Sequence, residues 1–235
     1  MTSLQLADAR EAADLAAFLA RLLHYDKAAA ARLQALGSTL AVFVHPPFDV
    51  LAVRSAQLAD EVLLDTTVSA GQFLEGLDER TGIAPVPPAV TGPPWAGVMP
   101  PRGGWQRTAE LPLATVQQAV ARGISEFRAR SEQLGPDRRT RVELDRIAAD
   151  IWSRPLDTAG AADLPLRAVH AAHALGFLTP IRTPGLPGQR PDDDTAGEGD
   201  VAVFASGGWL RVRTPHGSIA LRRSTGPGLP VTPVS

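Results

Sequence analysis

The 235-residue sequence contains no cysteine, which excludes disulfides, thiolate metal sites and cysteine nucleophiles. It contains no asparagine, and of its 23 basic residues only Lys27 is a lysine. A chain short of AAA- and AAC-type codons points to a high-GC genome. It also leaves Lys27 as the sole candidate for Schiff-base chemistry, in a stretch, Asp26-Lys27-Ala28-Ala29-Ala30, that reads as an exposed first helical turn. Neither sign of charge is in large excess. The formal net charge is −2, so a polyanion site would have to be a local patch. No apolar run approaches the roughly 18 residues a spanning helix needs, and no basic region precedes an apolar stretch at the N-terminus. The expected setting is cytoplasmic, with no membrane partner.

The common catalytic signatures are missing too. There is no Gly-rich loop ending in Gly-Lys-Ser/Thr, no G-x-G-x-x-G, no H-E-x-x-H and no G-x-S-x-G. Asp192-x-Asp194-x-x-Gly197 imitates a calcium loop, but its twelfth position is Val203 where a bidentate glutamate is required. No nucleophile, base and oxyanion donor can be assembled, so no catalytic residue and no cofactor are assigned.

What is present organises into an α+β fold. Leu15, Phe18, Leu19 and Leu22 form one helical stripe, with Asp8 and Glu11 as a capping-box-like start. A second helix is expected from the Asp26 cap to Leu36, with Gly37 at its C′ position. Strands are expected at 38–44, 48–55 and 61–67, and a short helix at 69–77 capped by Ser69. Residues 1–83 thus read as a helix pair followed by an antiparallel meander. Residues 84–104, with seven prolines and four glycines, cannot be a regular helix or a central strand. They read either as a linker or, because Trp95 and Trp105 are costly to leave in water, as a strap over the fold.

Residues 105–180 read as a helical region. Val116, Val120, Ile124 and Phe127 form one stripe of a hairpin, Gly135-Pro136-Asp137 turns it, and Leu144, Ile147, Ile151 and Trp152 line the return helix. Arg139/Glu143, Arg141/Asp145 and Arg146/Asp150 are i, i+4 pairs on a solvated face. A further helix spans 164–178. Residues 181–199 read as a flexible acidic loop, 200–224 as a β-meander and 225–235 as a disordered tail. The two meanders are candidates for one shared sheet.

The C-terminal meander carries the candidate site. Gly207-Gly208 reads as a type I′ turn that opposes Ser206 to Trp209, Phe204 to Arg211 and Val203 to Val212. Val201, Val203, Ala205, Leu210 and Val212 then share one face, and Phe204, Trp209, Arg211 and Arg213 the other. The third strand has two registers. The apolar pattern sends Arg222 to join Arg211 and Arg213, whereas a bulged turn at 214–217 shifts it by one. Arginines interleaved with aromatics can bind phosphates and stack on bases. The alternative is internal: Phe204 and Trp209 as core, the arginines neutralising the 192–200 acids or the second helix of the hairpin.

Two smaller constellations are present. His170 and His173 share a helix face at i, i+3, the spacing of a metal pair, but Arg167 lies on the same stripe and no third ligand is local. They are weak candidates beside a partly buried polar stripe. His45 and Asp49 flank a turn and are an acid–base pair only if a nucleophile is brought to them.

Residues 137–223 resemble a winged-helix arrangement, with a helix pair, a helix ending Ala174-Leu175-Gly176-Phe177-Leu178 and a hairpin. They depart from it in the long loop before the wing and in a recognition helix that carries only Arg167, His170 and His173. The stretch from Thr91 to Trp105, TGPPWAGVMPPRGGW, is similar to uncharacterised proteins of high-GC actinobacteria, which implies no activity. The expectation is a non-catalytic regulatory or protein-interaction protein. A nucleic-acid binder using the arginine-rich ribbon is the alternative, and an enzyme of unfamiliar type the third.

Overall fold

The computed structural model describes residues 2–90, 99–157, 161, 163–180 and 200–223. The acidic 181–199 segment, the tail from 224 and Trp95 lie outside the described residues. The elements run β1 (Ser3–Gln5), α1 (Ala9–Tyr25), β2 (Ala30–Val44), β3 (Leu51–Ser69), α2 (Ala70–Gly76) and β4 (Ile83–Pro85). Then come β5 (Gln106–Leu111), α3 (Leu113–Gln133), α4 (Arg141–Ser153), α5 (Leu166–Ala174), β6 (Val201–Ser206), β7 (Trp209–Thr214) and β8 (Gly217–Arg222). Six strands form one antiparallel sheet in the order β2-β3-β8-β7-β6-β5, so the two meanders do join, through Leu51–Val53 of β3 against Ser218–Ala220 of β8. The class is α+β with a C-terminal meander.

One helix of the expected N-terminal pair forms and the other does not. Asp8 caps α1 by accepting from the Glu11 amide, and Leu15, Phe18, Leu19 and Leu22 are its buried stripe. From Ala30 to Leu36, however, the chain is the first half of β2. Ala31, Leu33 and Ala35 face the core while Arg32, Gln34 and Leu36 face out, a period of two that overrides the helix propensity of alanine and leucine. Gly37 has the left-handed φ of 65° expected of it, but at the point where the β2–β3 register shifts and not at a helix C-terminus. The three expected strands are two long ones, β2 and β3, folded into a single hairpin.

In the region from 105 to 180, β5 forms the sheet edge beside β6, and α3, α4 and α5 follow it. Ser69 caps α2, and Thr140 caps α4 through the Glu143 amide. On the hairpin, Arg141 pairs with Asp145 at 3.5 Å. Asp150 is taken instead by Arg130 and Arg154, which also bind Glu126, so the charges tie α3 to α4 across the hairpin. Gly123 makes that closeness possible: a Cβ there would sit 2.7 Å from the Trp152 ring.

The start of the proline-rich stretch is hydrogen-bonded to the N-terminal unit. Ile83–Pro85 pairs with β1, Val86 N donates to Thr2 O, and Val90 N donates to Thr67 O. The core lies on one face of the large sheet, beneath α1, α3 and α5, and Phe18 stacks on Phe177 at 5.4 Å to join the two halves. The opposite, outer face is where the candidate residues stand.

Candidate functional site

The register of the meander is the apolar one. Ser206, Phe204 and Val203 oppose Trp209, Arg211 and Val212, as expected. On the other side Arg222 opposes Trp209, Ala220 opposes Arg211 and Ser218 opposes Arg213, without a bulge. The turn differs in type: Gly207 alone has a positive φ, of 52°, the pattern of a II′ turn, which fixes the same pairing. Phe204, Trp209, Arg211, Arg213 and Arg222 therefore share the outer face. Since β5 and β8 flank this ribbon, it is the interior of a sheet and not a free wing, and α5 is held in the protein by His170, packed between Trp152 and Phe48.

The five residues are not equivalent. Arg222 and Arg213 are exposed, while Phe204, Trp209 and Arg211 are half-buried. Arg222 lies over the Trp209 ring at 5.1 Å, and Arg211 over the Trp105 ring at 6.0 Å. One face of each indole is thus covered by a guanidinium. Arg211 Nη2 donates to Ser218 Oγ at 3.0 Å, and among the described residues no carboxylate lies within ion-pair distance of Arg211, Arg213 or Arg222. Burial, and then the neighbouring charge of Arg213, push the Arg211 pKa down from its ordinary value. Arg211 and Arg213 both line a cavity of about 520 Å³, together with Asp8, Glu11 and Asp14 and with Arg10 and Arg54.

Arg211 also walls a second cavity, of about 320 Å³, on the outer face. Its floor is Ala41 and Phe43 of β2, Val53 of β3 and Ala220 of β8; Met99, Pro100, Pro101 and Trp105 roof it, with Arg102 beside them. Trp105 is anchored there by Nε1 donating to Pro101 O at 2.9 Å. Arg32 and Gln34 stand at one end. Arg32 makes a two-pronged bond to Asp65, and that hydrogen bond is the largest of the effects holding the Asp65 carboxyl below its usual range. The result is a trough with an apolar floor and roof and three arginines: Arg32 bonded to Asp65, the exposed Arg102, and the half-buried Arg211, which has no carboxylate within ion-pair distance among the described residues.

The sequence reading missed Phe43, Val53, Arg32 and Arg102 here. Phe43 alternates with Ala41 on the outer face of a strand otherwise notable for its buried face, a signal visible only once the sheet face is known to carry a roof.

The histidines sit elsewhere. His170 stacks on Trp152 at 3.9 Å and meets Phe48 edge-on, and burial, with a smaller push from His173, lowers its pKa to about 4. His173 is exposed. Among the described residues no three His, Asp or Glu side chains gather where an ion could be held. His45 Nδ1 lies 3.2 Å from Val50 O, and Asp49 lies 3.6 Å from Arg167. No helix of the described residues is long and apolar enough to cross a membrane.

The profile of a domain of unknown function, DUF8185, matches residues 100–226, over half of the chain, and that of a second, DUF8010, matches residues 1–97. No curated protein matches the sequence. Among solved structures the chain is similar to a DNA polymerase sliding clamp from Pseudomonas aeruginosa crystallised with ligand, at a TM-score of 0.51, and to the DNA polymerase III subunit beta of the same organism, at 0.52. Each is 11% identical, and the alignments cover 93% of this chain and 64% of theirs. The likeness is therefore one of fold, and the chain spans less than two thirds of the length of these clamps.

Proposed function

For a chain that belongs to the DUF8185 family through residues 100–226, we infer a non-catalytic, cytoplasmic interaction module that docks an acidic, apolar segment of a partner protein on the outer face of its sheet. The observation that carries this reading is Arg211: a half-buried guanidinium with no carboxylate at ion-pair distance among the described residues, set in the wall of a trough with an apolar floor and roof. Burying a cation is unfavourable until it is paired, so the trough favours a ligand that brings an anion together with apolar bulk. A cavity of about 320 Å³ takes one or two side chains of such a segment and not a folded domain. That the solved structures sharing this fold are named as sliding clamps of a DNA polymerase supports a docking role.

Nucleic acid is the second reading, favoured by Arg213 and Arg222, which are exposed and without an ion pair among the described residues. One feature weighs against it: the indole faces that would stack on bases are each covered on one side by an arginine.

Selection from a random peptide display library tests the reading. The expected consensus pairs Asp or Glu with a large apolar residue, and the selected peptides lose affinity for Trp105→Ala and for Arg211→Gln. A basic consensus, or peptides indifferent to both substitutions, contradicts it.

A further inference from the structure

A second concavity, away from the Trp105 trough, has the charge and the walls of an anion site. It has a volume of about 420 Å³ and lies where α4 ends, α5 begins and β8 runs out, lined by Ser153, Pro155, Asp163, Pro165, Arg167, Arg222 and Arg223. Three guanidiniums face it against one carboxylate, so the lining carries an excess of two positive charges.

The compensation of those charges is uneven. Arg223 Nη2 is bonded to Asp163 at 2.9 Å. Arg222 has the Trp209 ring and, among the described residues, no carboxylate at ion-pair distance. Arg167 is mostly buried, with 21% of its side chain exposed, and its one acid, Asp49, is 3.6 Å away and almost fully exposed. Arg167 Nε is out of solvent and has no acceptor among the described residues. A fixed cation held so loosely keeps a positive potential inside the cavity. Ser153 adds no strong donor, because its hydroxyl is turned back to Asp150 O at 3.4 Å. The first turn of α5 opens at the same place, with Pro165 at its cap and no side chain bonded to its amides, which adds to the same sign of potential.

We propose that this cavity is a binding site for a small phosphate dianion, free or as the terminal group of a small monoester, clamped by Arg167, Arg222 and Arg223. Two charges of excess match the charge of the dianion, and arginine forks match its oxygens. The volume admits a phosphate with a few further atoms, not a polymer. The site uses neither the trough nor its arginines, so it stands or falls separately from the docking reading.

The test is calorimetric titration and thermal unfolding of the full chain with inorganic phosphate, pyrophosphate and ribose 5-phosphate, against sodium chloride at matched ionic strength. The expected result is saturable stabilisation by phosphate compounds that chloride does not reproduce, weakened about tenfold by Arg222→Gln or Arg223→Gln, each removing one charge-assisted contact. Arg141→Gln, on the exposed face of α4, should leave it unchanged. Tighter binding of ribose 5-phosphate than of inorganic phosphate would identify a monoester as the source, and the reverse order the free ion. Arg222 and Arg223 are exposed, so their loss tests the site without risking the fold. Equal stabilisation by chloride, or unchanged phosphate affinity in both variants, overturns the proposal.

Discussion

The ring of Phe177 packs directly on the backbone of Gly217, where an added Cβ would lie 2.6 Å from the ring. Phe177 also stacks on Phe18, so this contact locks the start of β8 against the helical layer that fixes the sheet in place. Gly217→Ala is expected to destabilise by about 1–3 kcal/mol through overpacking, measured by urea unfolding. Gly208→Ala, with open space at its Cβ and no positive φ, should change stability by less than about 0.5 kcal/mol. Equal effects would show that the Phe177 contact is soft.

His170 makes stability depend on pH. Its folded pKa, about 4, lies below the 6.5 of an unperturbed imidazole. The unfolded chain therefore binds the proton more readily. The contribution is complete above pH 6.5 and is lost as pH falls toward about 4. Urea midpoints should fall across that window in the wild type, and His170→Phe, which keeps the stack on Trp152, should lose this portion of the slope. An identical slope in the variant would assign the effect to other groups.

Arg54 is the buried cation of the inner face. Its side chain is 10% exposed, Nη2 lies 3.1 Å from Asp14 and Nη1 donates to His216 O. Asp14→Ala strips the carboxylate and leaves the charge behind, so it should cost about 1–3 kcal/mol in urea unfolding, whereas Arg54→Met, which removes the charge with it, should cost less. The opposite ranking would mean that Arg54 is held by the His216 carbonyl rather than by Asp14.

The parts of the fold that were legible in the sequence were those with one strong period. The α1 stripe, the α3–α4 hairpin and the apolar face of β6–β8 follow from residue spacing alone, and the meander register follows from the two glycines. Residues 30–36 were misread because Ala, Leu, Arg and Gln all favour helix, and only the partner strand, with Arg32 reaching Asp65, reveals the period of two. The outer-face arginines were legible as a group, but their differences were not. What separates Arg211 from Arg213 is the roof of Pro101 and Trp105, about a hundred residues earlier, which walls the trough with Arg211 and not with Arg213. It leaves no local signal. For the same reason the Arg167–Arg222–Arg223 cavity could not be read from three arginines on two distant elements.

Direct competition between the two ligand classes tests the central claim. Fluorescence titrations of a short peptide alternating glutamate and leucine, and of mixed-sequence single-stranded DNA, are to be run at about 50 mM salt, where attraction between charges is strong. They are repeated with Arg211→Gln and with Arg211, Arg213 and Arg222 all changed to glutamine. The account predicts peptide binding that weakens about tenfold in Arg211→Gln, as loss of one buried charge-assisted contact should produce, and no DNA binding. DNA binding with a log–log salt slope of roughly −2 to −3 that is abolished in the triple variant, beside a peptide that does not bind, would contradict it.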